Sequence, residues 1–347
     1  FYLLYRMCAY RMEQDGQEYT SPTRFAYEYG VCETTYEISE GGYNSNRRSV
    51  KRKKRERQRP GVSPLVYSRF LLENGVFLSL MDMGKELPEY EEIPVPLRLP
   101  ASQQRAYDDL EHAFHELFQD RSREGRKLAQ KVLSVFLNLM TAYPDQPYGH
   151  QPVLHPVTRD PLVVPQNSGG PDEATEKDRQ ALNIIRRKVS CSECVLLYVN
   201  WVRLDSRTRL LRLLTESGIR AEIMEDTVPP RKREEWVENH LRQGMQVMIT
   251  NPNLVETGLD LNDFTTLIFY DIAFKLFTFR QASRRSWRIN QTAPRVEVYI
   301  LYYRDTMQER AVRLMASKLA VAGVIEGGVL TDEGLAAMSE CEDMTSA

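Results

Sequence analysis

The strongest constraint on the fold is an alternation in the C-terminal half. Five short β-rich runs, VLLYVN (195–200), RAEIME (220–225), QVMIT (246–250), TTLIFYD (265–271) and RVEVYIL (295–301), alternate with helical periodicity over 206–217, 231–243, 277–290 and 306–321. Short apolar strands separated by helices of ~10–15 residues predict an α/β fold with a doubly wound parallel sheet and helices on both faces. The expected domain covers 176–322. A chain of 347 residues with 42% apolar content has room for about two domains.

The N-terminal half carries no such alternation. It shows an apolar helical pattern over 1–14, a Tyr- and Gly-rich stretch over 30–46, a strand-like VFLSL (76–80) and two long helical patterns at 102–119 and 122–141. Prolines recur from Pro144 to Pro171, with NSGG at 167–170, which predicts a linker over 143–175. Residues 323–347 form an acidic tail, whose last seventeen residues hold five acids and no base. No apolar run approaches the ~18 residues of a membrane span. Five cysteines, an odd number, suit a reducing compartment better than a disulfide framework, so a cytoplasmic protein is expected. FYLLYRM begins inside an apolar helical pattern without a cap, and the chain reads as a piece of a longer reading frame.

The net charge of −2 hides a strongly basic run: nine of the thirteen residues in RRSVKRKKRERQR (47–59) are Lys or Arg. Such a run reads as a basic loop that contacts nucleic acid through residues such as Arg52, Lys53 and Lys54, or as a nuclear localisation signal. A second cationic stretch, QASRRSWRINQ (281–291), has no local acids, since none occurs between Asp271 and Glu297. On a continuous helix Gln281, Arg285 and Arg288 fall at i, i+4 and i+7, on one face, leaving Arg284 off it. Two guanidiniums aimed together make a phosphate clamp; the alternative is a solvated basic helix.

The segment TNPNLVETGLDL (250–261) leaves the carboxyl end of a strand, where open α/β sheets bind ligands. Gly258 permits a close backbone approach, Thr257 brings a hydroxyl and Asp260 a carboxylate suited to ribose. The alternative is an ordinary strand-to-loop turn.

VLLYVNW, TNPNLVETGLDL and QASRRSWRINQ, in that order and spacing, resemble motifs IV, V and VI of the second RecA-like lobe of superfamily-two helicases, most of all the Swi/Snf-type branch with its QAxxRxxRIGQ signature. The resemblance implies that Arg285 and Arg288 are arginine fingers toward ATP. It places Gln281, Gly258 and Asp260 near the nucleotide, and Thr250, Asn251 and Thr257 near a nucleic-acid backbone. Asn290 stands where the family has Gly, and as a residue tolerant of left-handed backbone it could end the helix. More weakly, LPEYEEIPVPLRL followed by SQQRAYDDLEHAF resembles the passage that links the two lobes, and FYLLYRM the helix just after motif III. Residues 1–142 then read as the end of a first lobe with a helical insertion.

An ATPase of this class also needs a GxxxxGK[ST] loop and a DExx pair. The 347 residues contain neither in a suitable setting. The expected cofactors, ATP and Mg2+, would be held mainly by a first lobe supplied in cis or in trans, and the expected partner is nucleic acid, double-stranded DNA above all. The competing reading is a non-enzymatic nucleic-acid-binding or regulatory module. Cys191-Ser-Glu-Cys194 has metal-ligand spacing but no second pair, and reads as two reduced thiols. His112 and His115 read as helix-surface residues. Trp201 and Trp236 could stack on bases or fill a core.

Overall fold

Runs of consecutive apolar residues become strands buried on both faces, as they must in a parallel sheet. The computed structural model describes residues 1–40, 50–63, 65–76, 87–120, 122–200, 204, 206–255, 259–271 and 276–325. In chain order the elements are α1 (Tyr2–Met7), α2 (Ala9–Gln14), α3 (Pro22–Tyr29), β1 (Gly30–Glu40), β2 (Val50–Val62), β3 (Glu89–Leu97), α4 (Ala101–Gln119), α5 (Arg123–Ala142), β4 (Val153–Leu154), β5 (Pro161–Val163), α6 (Glu176–Ser190), β6 (Cys194–Tyr198), α7 (Ser206–Glu216), β7 (Ala221–Met224), α8 (Arg233–Arg242), β8 (Val247–Thr250), β9 (Phe264–Phe269), α9 (Leu276–Ser283), β10 (Arg295–Tyr303) and α10 (Met307–Ile325). Within the described residues they fall into two compact units, one of 1–76 with 316–325 and the other of 87–315.

In the larger unit, six parallel strands follow the order β3-β10-β9-β6-β8-β7. All five strands expected from the alternation are present, and β3, from the EEIPVPL passage, is added at the β10 edge. Its Pro94 and Pro96, two residues apart, cannot donate to a ladder, so they leave the outer edge short of donors and discourage further pairing. One sheet face packs Val195, Leu197, Ile249, Ile268 and Leu301 against Ile184, Ile185, Leu210 and Leu214 of α6 and α7. On the alternate positions Leu196, Met248, Leu267, Val298 and Ile300 are equally buried.

Helices α4 and α5 belong to this unit rather than to a separate N-terminal body. Their Tyr107, Leu110, Phe114, Leu139 and Met140 share a core with Val153 and Val163 of the β4–β5 pair and with Tyr303 and Met307. Phe114, fully buried 4.2 Å from the Phe136 ring, contributes about 2–3 kcal/mol of burial by itself.

The first residues of the expected linker over 143–175 are packed: 141–148 are all buried, whereas most of 149–174 is exposed or half-buried. The reason is polar. Lys177, at the start of α6 and without solvent contact, meets Asp145 at 2.5 Å and Gln308 at 2.7 Å. It also lies 5.2 Å from the Tyr270 ring centroid and 5.0 Å from that of Tyr303. Arg209 of α7 donates to Asp178 at 2.9 Å, to the Asp145 carbonyl at 2.8 Å and to Tyr148 and Tyr270, each at 3.2 Å. Gln308 closes the set by donating to Asp145 and to the Thr141 carbonyl, both at 2.9 Å. Asp178 also caps α6 reciprocally with Thr175. The proline-rich chain is therefore held by charge-assisted bonds at the carboxyl edge of the sheet.

Next to this network Asp271 is buried at the end of β9. It accepts from the Asn200 backbone at 2.7 Å and from its side chain at 2.6 Å. Burial, with the Asp145 charge adding to it, pushes its pKa up to about 7, against the opposing pull of the Asn200 bonds and Lys177.

The smaller unit holds the aromatic cluster of Tyr5, Cys8, Met12, Tyr29, Val66 and Phe70. The helix expected over 1–14 is two, broken at Cys8, whose Sγ donates to the Phe70 carbonyl at 3.1 Å. The basic run is not a loop: from Val50 onward it is β2, antiparallel to β1 in a two-stranded ribbon. VFLSL from residue 77 on, the tail from residue 326 on and Trp201 lie outside the described residues.

Two outcomes are expected in urea unfolding. Lys177→Met strands the buried Asp145 carboxylate and costs about 3–5 kcal/mol, most of it regained when Asp145 also becomes Leu; an equal loss in the double variant would refute ion pairing as the cause. Asp271 has a raised folded pKa, so its contribution to stability is complete below the ordinary carboxylate range and is lost as pH rises through about 7. Asp271→Asn is therefore more stable than the parent at about pH 8, by up to roughly 4 kcal/mol, with the gap closing by about pH 4.

Candidate functional site

In the strand order, β6 connects onward to the β7 side, whereas β9 connects onward to β10 on the other side. Adjacent strands whose connections diverge leave a crevice beyond their carboxyl ends. Here that crevice is bridged by the protein itself. Asn251, after β8, donates to the Asn200 carbonyl at 3.0 Å, and Asn200, after β6, holds Asp271 after β9.

Beyond this junction the segments 259–262 and 281–291 come together. Ser286 donates to the Leu261 carbonyl at 2.9 Å, and Gln291 donates to the Asn262 carbonyl at 2.8 Å. Arg288 forms an ion pair with Asp260 and reaches the Leu259 carbonyl at 3.4 Å. From the sheet side, the Tyr198 hydroxyl donates to the Ala282 carbonyl at 3.1 Å. Tyr198 is fully buried, which drives its pKa far up, and the Arg285 charge opposes that shift, so Arg285 lies in its vicinity.

These contacts explain why the helix expected over 277–290 ends at Ser283. Residues 284–290 form turns and bends, drawn to loop carbonyls by Ser286, Arg288 and Gln291 and to the Pro88 carbonyl by the Trp287 indole at 2.8 Å. Tertiary bonds override helix propensity here. Gln281, Arg285 and Arg288 thus do not share one helical face; only Gln281 is in α9. Asn290 has ordinary negative φ and caps no helix, since the positive-φ residues other than glycine among the described ones are Arg159, Ser192 and Asp305.

Arg285 is half-buried, and Arg288 and Asp260 keep 34% and 47% of their side-chain surface. Arg284 is exposed as expected, but it is not idle: its guanidinium lies 5.7 Å from the Tyr90 ring centroid and 5.2 Å from that of Trp287. Thr257 and Gly258 lie outside the described residues. Thr250 is fully buried and donates to the Met224 carbonyl at 3.2 Å, and Asn251 is buried in the strand-end junction. Both tie strand ends together in this structure. Arg52, Lys53 and Lys54 occupy β2.

Asn200, Asp271, Tyr90 and Trp287 were not singled out by spacing. A Trp inside a basic run and an Asp closing an apolar strand were their only visible signals. Trp236 packs on His240, ring centroids 3.9 Å apart. Cys191 ends α6 and Cys194 opens β6, both as free thiols. His112 pairs with Glu116 on the exposed face of α4.

Comparison with known proteins fits this architecture. Residues 176–290 match the helicase conserved C-terminal domain. The chain is 27% identical over 255 residues to the Chromodomain-helicase-DNA-binding protein 1-like of Mus musculus, covering 72% of this chain and 26% of that protein. It is 26% identical over 148 residues to the ATP-dependent helicase fft1 of Schizosaccharomyces pombe, covering 42% of this chain and 15% of that one. The chain thus spans about a quarter or less of these relatives. A crystal structure of the C-terminal part of the Fun30 ATPase domain is similar at a TM-score of 0.49 and 15% identity, over 66% of this chain and 90% of that one, a likeness too loose to bear on function. Through residues 176–290 the chain is thus similar to the C-terminal lobe of Swi/Snf-like superfamily-two helicases, in line with the resemblance of its motifs.

Proposed function

We propose that this lobe supplies one wall of an ATP site in a nucleic-acid translocase, the other wall being a first lobe provided in cis or in trans. The observation that carries the reading is the docking of 281–291 onto 259–262, which sets Arg288 on Asp260 and leaves both partly exposed. The donor set suits a nucleotide: planar guanidiniums at Arg285 and Arg288 for phosphate oxygens, and a carboxylate at Asp260 for ribose hydroxyls. Gln281, in α9, belongs to the same wall. ATP and Mg2+ supply the phosphoryl-transfer chemistry, and the first lobe holds most of both.

In this scheme Asp260 orients the Arg288 guanidinium until phosphate competes for it. Arg285, half-buried, needs little ordering to reach charge that develops during transfer. Alternate closing and opening of the lobes then steps the protein along a phosphate backbone, without base specificity. The substrate is double-stranded DNA and the setting the reducing cytoplasm. The DNA binding and ATP dependence in the relatives' names lie in the same direction.

The test is ATP turnover, with and without duplex DNA, by this chain joined to a lobe carrying the phosphate loop. Arg285→Ala and Arg288→Ala are each expected to lower kcat by about 10³-fold or more. Turnover equal to the parent's in both variants would remove the finger assignment.

A further inference from the structure

Three consecutive residues of the arginine segment are bonded to two separate parts of the larger unit. The Ser286 hydroxyl donates to the Leu261 carbonyl at 2.9 Å and Arg288 pairs with Asp260, whereas between them the Trp287 indole Nε1 donates to the Pro88 carbonyl at 2.8 Å. Pro88 immediately precedes β3, the strand by which the chain enters this unit. On β3 the Tyr90 ring lies 5.4 Å from that of Trp287, and the Arg284 guanidinium lies over both rings. The far end of the segment is fastened to the same strand: the Glu89 amide donates to the Pro294 carbonyl at 2.9 Å, and Arg295 pairs with Glu89 and Glu91.

We propose that Trp287 is a positioning residue for the nucleotide site, holding the arginine segment against the entry strand and thereby setting where the Arg288 guanidinium can reach. The inference rests on the reading of that segment as one wall of an ATP site. It brings Pro88 and Tyr90, about 200 residues earlier in the chain, into the support of that wall.

Three physical arguments favour this role. The segment cannot hold its shape alone: beyond Ser283, where α9 ends, its backbone makes turn bonds from Arg285 to the Ala282 carbonyl at 3.4 Å and from Gln291 to the Arg288 carbonyl at 3.0 Å. Two such turns leave the residues between them to be placed by side-chain bonds. Next, an indole serving only as filler would sit in an apolar core. Trp287 is 8% exposed, yet it lies outside the cores of the sheet face and of α4 with α5. Its partners are a phenol ring, a guanidinium and a carbonyl, and its one polar atom is bonded to that carbonyl. Finally, Trp287 is the covalent neighbour of Arg288, so release of the indole frees the backbone that carries the guanidinium. A misplacement of ~1 Å in a group that aligns reacting atoms can cost ~10²-fold in rate.

The experiment combines ATP turnover by this chain joined to a lobe carrying the phosphate loop with hydrogen exchange of the full chain without nucleotide. Trp287→Phe keeps a ring beside Tyr90 and Arg284 but has no donor for Pro88. It is expected to lower kcat about 10-fold and Trp287→Ala about 10²-fold, with KM for ATP within about threefold of the parent in both. In an Arg288→Ala background Trp287→Phe costs less than about twofold more, because two residues that act as one unit are not additive. Exchange over 284–291 speeds about fivefold in Trp287→Phe, the protection given by one hydrogen bond of ordinary net strength, while β6, β8 and β9 stay within about twofold of the parent.

The proposal is overturned if Trp287→Phe costs as much in the Arg288→Ala background as in the parent. Exchange that speeds equally in β6, β8 and β9 also overturns it, since that marks general loosening of the unit. Turnover lost in Arg288→Ala but kept in both Trp287 variants rejects the positioning role alone, whereas parent-like turnover in Arg288→Ala rejects the finger reading of that residue and this proposal with it.

Discussion

The ion pairs of Lys177 with Asp145 and of Arg209 with Asp178 are the constraint on which the larger unit depends. Lys177 and Asp178 are neighbours in the first turn of α6, yet they engage different partners: Lys177 draws in Asp145 and Gln308, while Asp178 holds Arg209 and Tyr270. One helical turn thereby fastens the proline-rich segment, α7, the end of β9 and the start of α10. Taking these charges out of water is costly, and apolar residues of similar shape could match their stability. What they provide is selectivity, because each charged group is satisfied in one arrangement of four chain segments and is stranded in others.

That arrangement also decides where chemistry can happen. Open α/β sheets bind ligands beyond their strand ends, but here the ends of β6, β8 and β9 are closed by Asn200, Asn251 and Asp271. The accessible polar groups lie one layer further out, the Asp260 carboxylate and the guanidiniums of the arginine segment. A rigid interior supports that layer, so the positions of Arg285 and Arg288 follow from bonds to the 259–262 carbonyls and from the Trp287 anchor at Pro88. The placement of Arg288 does not come from helical phase.

The C-terminal fold was legible in the sequence because its signals are local. Apolar runs of four to six residues between amphipathic helices leave a parallel sheet as the economical way to bury them, and the structure places all five expected strands side by side. The link between residues 259–262 and RRSWR was legible as well, through resemblance, and Asp260 with Arg288 now gives it a physical contact. Helix α9 was overextended because periodicity continues through Arg288 while tertiary hydrogen bonds do not permit helix there. Thr250 and Asn251 follow a strand, and their bonds to the Met224 and Asn200 carbonyls are visible only in the fold.

The sequence by itself determined the succession of strands and helices along the chain, the apolar positions that face the sheet core and the clusters of cations, since each depends on residue spacing over a few turns or strand repeats. Tertiary structure decided the rest. It turned Tyr143–Tyr148 from an apparent linker into packed core, because the partners that neutralise Asp145 lie at positions 177 and 308. It also made the basic run a strand paired with 30–40. Both outcomes rest on contacts between residues distant in the chain, and no local pattern encodes the free energy of burying a charge beside its partner.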